Sequence, residues 1–126
     1  MSTEELMRRI ALVFATGDSA EVDKIVSPEY LDYQGLGGVP LHGPAGFRQV
    51  VATARRVFDR LDVTIEDLIV GVDRAAARIR WRGVSAEGVV AERETIDIVR
   101  FARKKAVEHW GAKSWERTSQ GGAADA

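Results

Sequence analysis

The stretch Leu61–Arg82, LDVTIEDLIVGVDRAAARIRWR, is where the chain changes its period. Leu61, Val63 and Ile65 alternate with polar residues, and Leu68, Ile69 and Val70 continue the extended run, so residues 61–72 are expected as one long strand. Asp73-Arg74 then makes a turn. Beyond it Ala77, Ile79 and Trp81 alternate with Arg78, Arg80 and Arg82, the pattern of a strand with one buried face and one wet face. For these three arginines a solvated sheet face is a sufficient explanation, and no anionic ligand is needed to account for them.

Upstream of this stretch the spacing is helical. Ser2 followed by Glu5 is a capping box, and Leu6, Ile10, Val13 and Phe14 recur at helical intervals until Gly17, which places a helix over 3–16. The apolar run Ile10–Ala15 is too short for a secretory leader and follows Glu4 and Glu5, so it is read as part of that helix. A shorter helix carries Val22, Ile25 and Val26 and stops before Pro28. Tyr30–Tyr33 is expected as a brief strand and residues 35–40, with Gly35, Gly37 and Gly38, as a flexible loop or pocket lid. Gly43-Pro44 opens a third helix to about residue 58, with Phe47, Val50, Val51, Ala54, Val57 and Phe58 on one face.

Downstream, residues 83–92 are a connection, and Thr95–Phe101 and Lys105–Trp110 are two more strands joined at Arg103-Lys104. The whole is an α+β domain over residues 1–118, three helices packed on a strongly curved, mainly antiparallel sheet, cone-shaped, with a tail over 119–126 expected to be disordered.

Composition narrows the function. The 126 residues carry 18 Lys and Arg against 19 Asp and Glu, so the basic surface of a nucleic-acid binder is not expected. No stretch approaches the ~18 apolar residues of a membrane span. With no cysteine there is no disulfide, thiolate metal site or thiol nucleophile, which fits a reducing cytoplasm. Two histidines, His42 and His109, make no metal cluster, and the glycines at 35–38 lack the lysine and helix of a phosphate loop. No metal and no cofactor are expected.

Several motifs together resemble the SnoaL-like polyketide cyclases of the nuclear transport factor 2-like (NTF2-like) superfamily. They are Glu29-Tyr30-Leu31-Asp32-Tyr33, then Gly43-Pro44-Ala45-Gly46-Phe47, then Ile65-Glu66-Asp67-Leu68-Ile69 through Asp73-Arg74, and Ile96–Phe101 followed by Val107-Glu108-His109-Trp110. The resemblance implies a cystatin-like conical fold. It also implies cofactor-independent proton transfer on a hydrophobic cyclic small molecule, by a cyclase, isomerase or hydrolase. The alternative is a non-catalytic ligand-binding or protein-interaction module of the same fold. Three features depart from the family: its histidine after Asp32 is Tyr33, its aspartate beyond the His-Trp pair falls where the chain has Gly111, Ala112, Lys113 and Ser114, and its Asp-Gly hairpin before the last strand is Arg103-Lys104, a poor pair for a turn that needs positive φ.

The sharpest local signal is Asp97 with His109, an acid and an imidazole that neighbouring antiparallel strands can bring together as a proton-transfer pair. Asp97 stands between Ile96 and Ile98, mid-strand, where an aspartate is disfavoured unless it has a partner. The plainer reading is that Asp97 neutralises Arg80 or Arg100 and that His109 is a satisfied core residue. Tyr33, Trp81 and Trp110 are the candidate ligand-binding aromatics, each equally able to be core filler. Apolar residues on both faces of the last strands lead us to expect a homodimer.

Overall fold

The computed structural model describes residues 1–56, 58–114 and the backbone of 117–120. Helix α1, Thr3–Thr16, starts on the expected capping box, with the Ser2 side chain accepting from the Glu5 backbone, and ends on a left-handed Gly17. Helix α2, Ser19–Ile25, is capped by Asp18, which accepts from Ala20 N–H. Val26 already belongs to strand β1, Val26–Leu36, which is far longer than the four residues expected.

The expected glycine loop is instead a hairpin. Strand β2, Val39–His42, folds back on β1, and Leu36 pairs with Val39 across Gly37 and Gly38, whose φ values of 59° and 80° suit a tight two-residue turn. Helix α3, Gly43–Arg55, is shorter than predicted. It buries Phe47 and Val51, while Val50 and Ala54 are half-buried. Phe58 leaves the helix and lies on Gly83, so close that a Cβ there would meet the ring at 2.5 Å. Val57 lies outside the described residues.

Strands β3, Arg60–Val70, and β4, Arg74–Val84, form the predicted hairpin, with Ile65 opposite Ile79 and Val63 opposite Trp81. Strand β5, Val89–Ala102, begins six residues before the expected start at Thr95, and strand β6 is Lys105–Lys113. Their turn sets Arg103 and Lys104 at φ 53° and 64°, the left-handed conformation that neither side chain favours. The sheet order is β2-β1-β6-β5-β4-β3. All neighbours are antiparallel except β1 and β6, which run parallel. Strand β7, Arg117–Gln120, pairs with the first residues of β5, so Ser119 and Gln120, placed in the tail by the sequence reading, sit in the sheet. Residues 121–126 lie outside the described residues.

The core fills the concave side. Leu6, Met7 and Val13 of α1, Val22 and Ile25 of α2, and Phe47 and Val51 of α3 meet Val26, Tyr30, Ala75, Ala77, Ile79, Val99 and Phe101 of the sheet. Each such large apolar side chain contributes about 1.5–3 kcal/mol by leaving water. Among the described residues no helix is long and apolar enough to cross a membrane.

Candidate active site

Alternation along three strands puts one polar group of each on the concave face. Asp32 of β1 pairs with His109 of β6, His109 pairs with Val99 of β5, and Asp97 stands two residues before Val99. The three side chains join. His109 Nδ1 lies 2.8 Å from Asp32 Oδ1, and its Nε2 lies 2.7 Å from Asp97 Oδ1.

The row extends at both ends. Asp97 Oδ2 accepts from Thr95 Oγ1 at 2.6 Å, and Thr95 Oγ1 accepts from Trp81 Nε1 at 2.8 Å. Asp32 Oδ1 accepts the backbone N–H groups of Gln34 and Gly35, each at 3.0 Å, across the irregularity in β1. Among the described residues no buried side-chain nitrogen or oxygen lacks a partner.

Burial alone pulls the His109 imidazole toward its neutral form. The hydrogen bonds to Asp32 and Asp97, and their charges, outweigh it and hold the pKa at about 9. Burial likewise pushes the Asp32 carboxyl up, yet the bond and charge of His109 and the two backbone N–H groups leave it below its ordinary value. At neutral pH His109 is therefore an imidazolium donating both N–H groups. It has no free nitrogen with which to act as a base. Asp97 keeps unused lone pairs on both oxygens, so the carboxylate is the proton acceptor this arrangement offers.

The plainer reading of Asp97 does not describe the structure. Arg80 pairs with Glu66, and Arg100 with Glu108, on the other side of the sheet. Arg78 meets Asp67 and Glu94, and Arg82 meets Glu92, which leaves the arginine row as the wet face it was expected to be.

Trp81 stands on the concave side, its ring edge-to-face with Phe14 at 5.1 Å. Phe14 contacts Phe47 at 5.5 Å, and Phe47 contacts Tyr30 at 5.9 Å, both edge-to-face. This aromatic series begins where the polar row begins, at Trp81, and ends on Tyr30, two residues before Asp32. Tyr33 and Trp110, the other expected ligand aromatics, are on the outer face instead. Each immediately follows an inward residue, Asp32 or His109, and strand alternation turns them away. They stack at 5.3 Å, and Tyr33 O–H donates to Glu108 at 2.7 Å. His42 is an exposed residue preceding α3, with no capping bond from its side chain.

Sequence reasoning missed Asp32 and Thr95. The signal was present for Asp32, since an aspartate between Leu31 and Tyr33 in a strand raises the same question as Asp97 between two isoleucines. Neither of two clefts is lined by the trio. One, of about 570 Å³, opens beside β3 and is lined by residues including Arg55, Arg60, Asp62 and Arg82. The other, about 20 Å³ between Phe58, Trp81, Gly83 and Arg93, has room for about one water.

The sequence model of the SnoaL-like polyketide cyclases matches residues 4–113. No curated protein matches the chain in sequence. The solved structure of wild-type IdmH from Streptomyces antibioticus, a candidate polyketide cyclase, superposes with a TM-score of 0.80 at 18% identity, covering 90% of this chain and 93% of that one. TsrD from Streptomyces laurentii gives 0.75 at 24% identity over 88% and 87%. A protein of ketosteroid isomerase-like fold from Catenulispora acidiphila, solved with trimethylamine, gives 0.73 at 11% identity over 88% and 86%.

Proposed function

Because the chain belongs to the SnoaL-like polyketide cyclase family, we propose that it is a small-molecule enzyme moving a proton on a hydrophobic cyclic ligand, without a cofactor. Asp97 takes the proton, and His109 is the cation that faces it. The observation that carries this reading is the clamp: one imidazolium between two carboxylates, on the concave face of an otherwise apolar cone. A charged row of this kind is expensive to bury for stability alone, since apolar residues of similar volume would serve as well or better. Proton transfer gives it a use.

The family aspartate beyond the His-Trp pair is absent, and Asp97 supplies a carboxylate from the neighbouring strand. Gly111 lies opposite Asp97 in the β5–β6 ladder. Asp97 Oδ1 stands 2.9 Å from where a Cβ at 111 would be.

The test is exchange of the α-protons of 2-tetralone, a flat cyclic ketone, followed by NMR in D2O. The protein should accelerate exchange over buffer. Asp97→Asn should keep the fold, leave affinity within about tenfold and lower the rate by roughly 10² or more. An unchanged rate in that variant would remove Asp97 from the role.

The outer face supports a second part of the reading, association of two copies. Ile96 and Ile98 are exposed there, on the ladder positions facing Ala112 and Trp110, and Tyr33 stacks on Trp110 beside them. The ion pairs Arg78–Asp67 and Arg100–Glu108 border this patch, and an isologous contact would set the same patch of each copy against the other.

A further inference from the structure

Two cations on the concave face take no part in holding the fold together. Arg93 lies directly opposite Trp81 in the β4–β5 ladder and Lys113 directly opposite Thr95 in the β5–β6 ladder, so each projects on the side that holds Trp81, Thr95 and Asp97. Among the described residues neither has a hydrogen bond or an ion pair. By contrast Arg78, Arg80, Arg82 and Arg100 of the outer face all meet carboxylates. Arg93 is moreover half-buried, and it borders the small cleft beside Trp81, Phe58 and Gly83. Lys113, exposed, stands where the concave face opens to solvent. A guanidinium drawn partly out of water with no acceptor gives up hydration and gains nothing in return, unless an anion comes to it.

The clamp does not account for the two cations. Its ion pairs are made by His109 alone. Asp32, Asp97 and the His109 imidazolium together carry one net negative charge, so Arg93 and Lys113 leave the concave face with one positive charge in excess. A single carboxylate matches that excess, and the guanidinium fork fits its two oxygens. We propose that Arg93 and Lys113 hold a carboxylate of the ligand at the open end of the concave face while its ring lies against Trp81 and points toward Asp97. The substrate class is then a hydrophobic cyclic acid. This deepens the reading of the site as one of proton transfer and rests on it.

The spacing along β5 sets the size of that acid. Arg93 stands four residues before Asp97, about 13 Å along the strand, and Lys113, opposite Thr95, is about 7 Å from the level of Asp97. The two long side chains cover part of this distance, and a ligand of two fused rings covers the rest. No bond is made or broken at the cations. Their contact is the same before and after the proton moves, so it strengthens binding and sets which end of the ligand enters first, without stabilising the transition state selectively.

The test uses two probes that differ only in charge, 6-carboxy-2-tetralone and its methyl ester, with wild type, Arg93→Gln, Lys113→Gln and the double variant. Calorimetry gives the affinity of each probe at low and high salt, and NMR in D2O gives its α-proton exchange. Wild type should bind the acid about 10- to 100-fold more tightly than the ester, and added salt should weaken the acid only. Each single variant should lose part of this preference and the double variant all of it, with ester affinity and melting temperature held, since neither side chain has a partner to lose. If the acid preference depends on Arg93 and Lys113 but neither probe exchanges faster than in buffer, proton transfer falls and the anion site stands. If both probes exchange faster than in buffer but bind alike, the anion site falls and proton transfer stands. A preference that survives in the double variant, or an acid that wild type does not bind, overturns the proposal.

Discussion

Asp97 and Gly111 face each other across β5 and β6, and the carboxylate of the first occupies the space that a side chain on the second would need. The Gln34 side chain uses the same space, its Oε1 2.2 Å from the Cβ position of residue 111. Gln34 can swing away from an added methyl group. Asp97, bonded to both His109 and Thr95, cannot do so freely. Gly111→Ala should therefore destabilise the fold by about 1–2 kcal/mol. It should also loosen the clamp. Thermal melting measures the first effect, and a downward move of the His109 titration by NMR measures the second.

The clamp makes stability depend on pH in a defined direction. His109 has a folded pKa of about 9 against 6.5 for the free side chain. A group raised on folding contributes fully below its unfolded value, and the contribution is lost as pH climbs through the folded one. The unfolding free energy from denaturant titration should thus fall between pH 6.5 and 9, by an amount on the order of 3 kcal/mol. Asp32 works in the opposite sense, because its folded value is lowered: its contribution is present above the ordinary carboxylate range and lost as pH drops through the folded value. A flat stability curve from pH 6 to 9.5 would contradict the imidazolium assignment.

Asp32→Asn and Asp97→Asn should separate anchoring from chemistry. Asp32 holds His109 and also the backbone of Gln34 and Gly35. Its loss should cost more stability than the loss of Asp97, about 2–4 kcal/mol against 1–2. Both should lower the His109 pKa, and of the two only Asp97→Asn should slow ketone exchange by roughly 10² or more while leaving most of the stability. Equal melting temperatures for the two variants would count against this division.

The outer face predicts the mass in solution. Light scattering should return about twice 13.8 kDa, and Ile98→Lys, which plants a charge in the centre of the patch, should shift the protein toward the monomer. A mass near 13.8 kDa for wild type at high concentration would refute self-association.

Arg103 and Lys104 both hold positive φ in the β5–β6 turn. Replacing them with Asn-Gly, which adopts that conformation at lower cost, should stabilise the protein by about 1 kcal/mol, with ketone exchange unchanged because the turn is remote from Asp97. Thermal melting checks the gain.

Local signals were enough wherever a residue's role is set by its immediate neighbours. Ser2, Glu5 and Gly17 placed both ends of α1, and the period-2 pattern of 61–82 yielded the β3–β4 hairpin, because capping and pleat are short-range effects. Motif spacing pointed to the conical α+β family. Asp97 and His109 stood out through their own surroundings in sequence. What local reasoning could not supply was partnership across strands. Asp32 is 77 residues from His109, and only the parallel pairing of β1 with β6, brought about by packing three helices into the cone, sets them side by side. The same pairing decides the faces. A one-residue step along a strand reverses a side chain, so Tyr33 and Trp110 went to the outside when Asp32 and His109 went in. In β1 and β6, unlike β4, composition and spacing do not mark which face turns inward until the helices cover one of them.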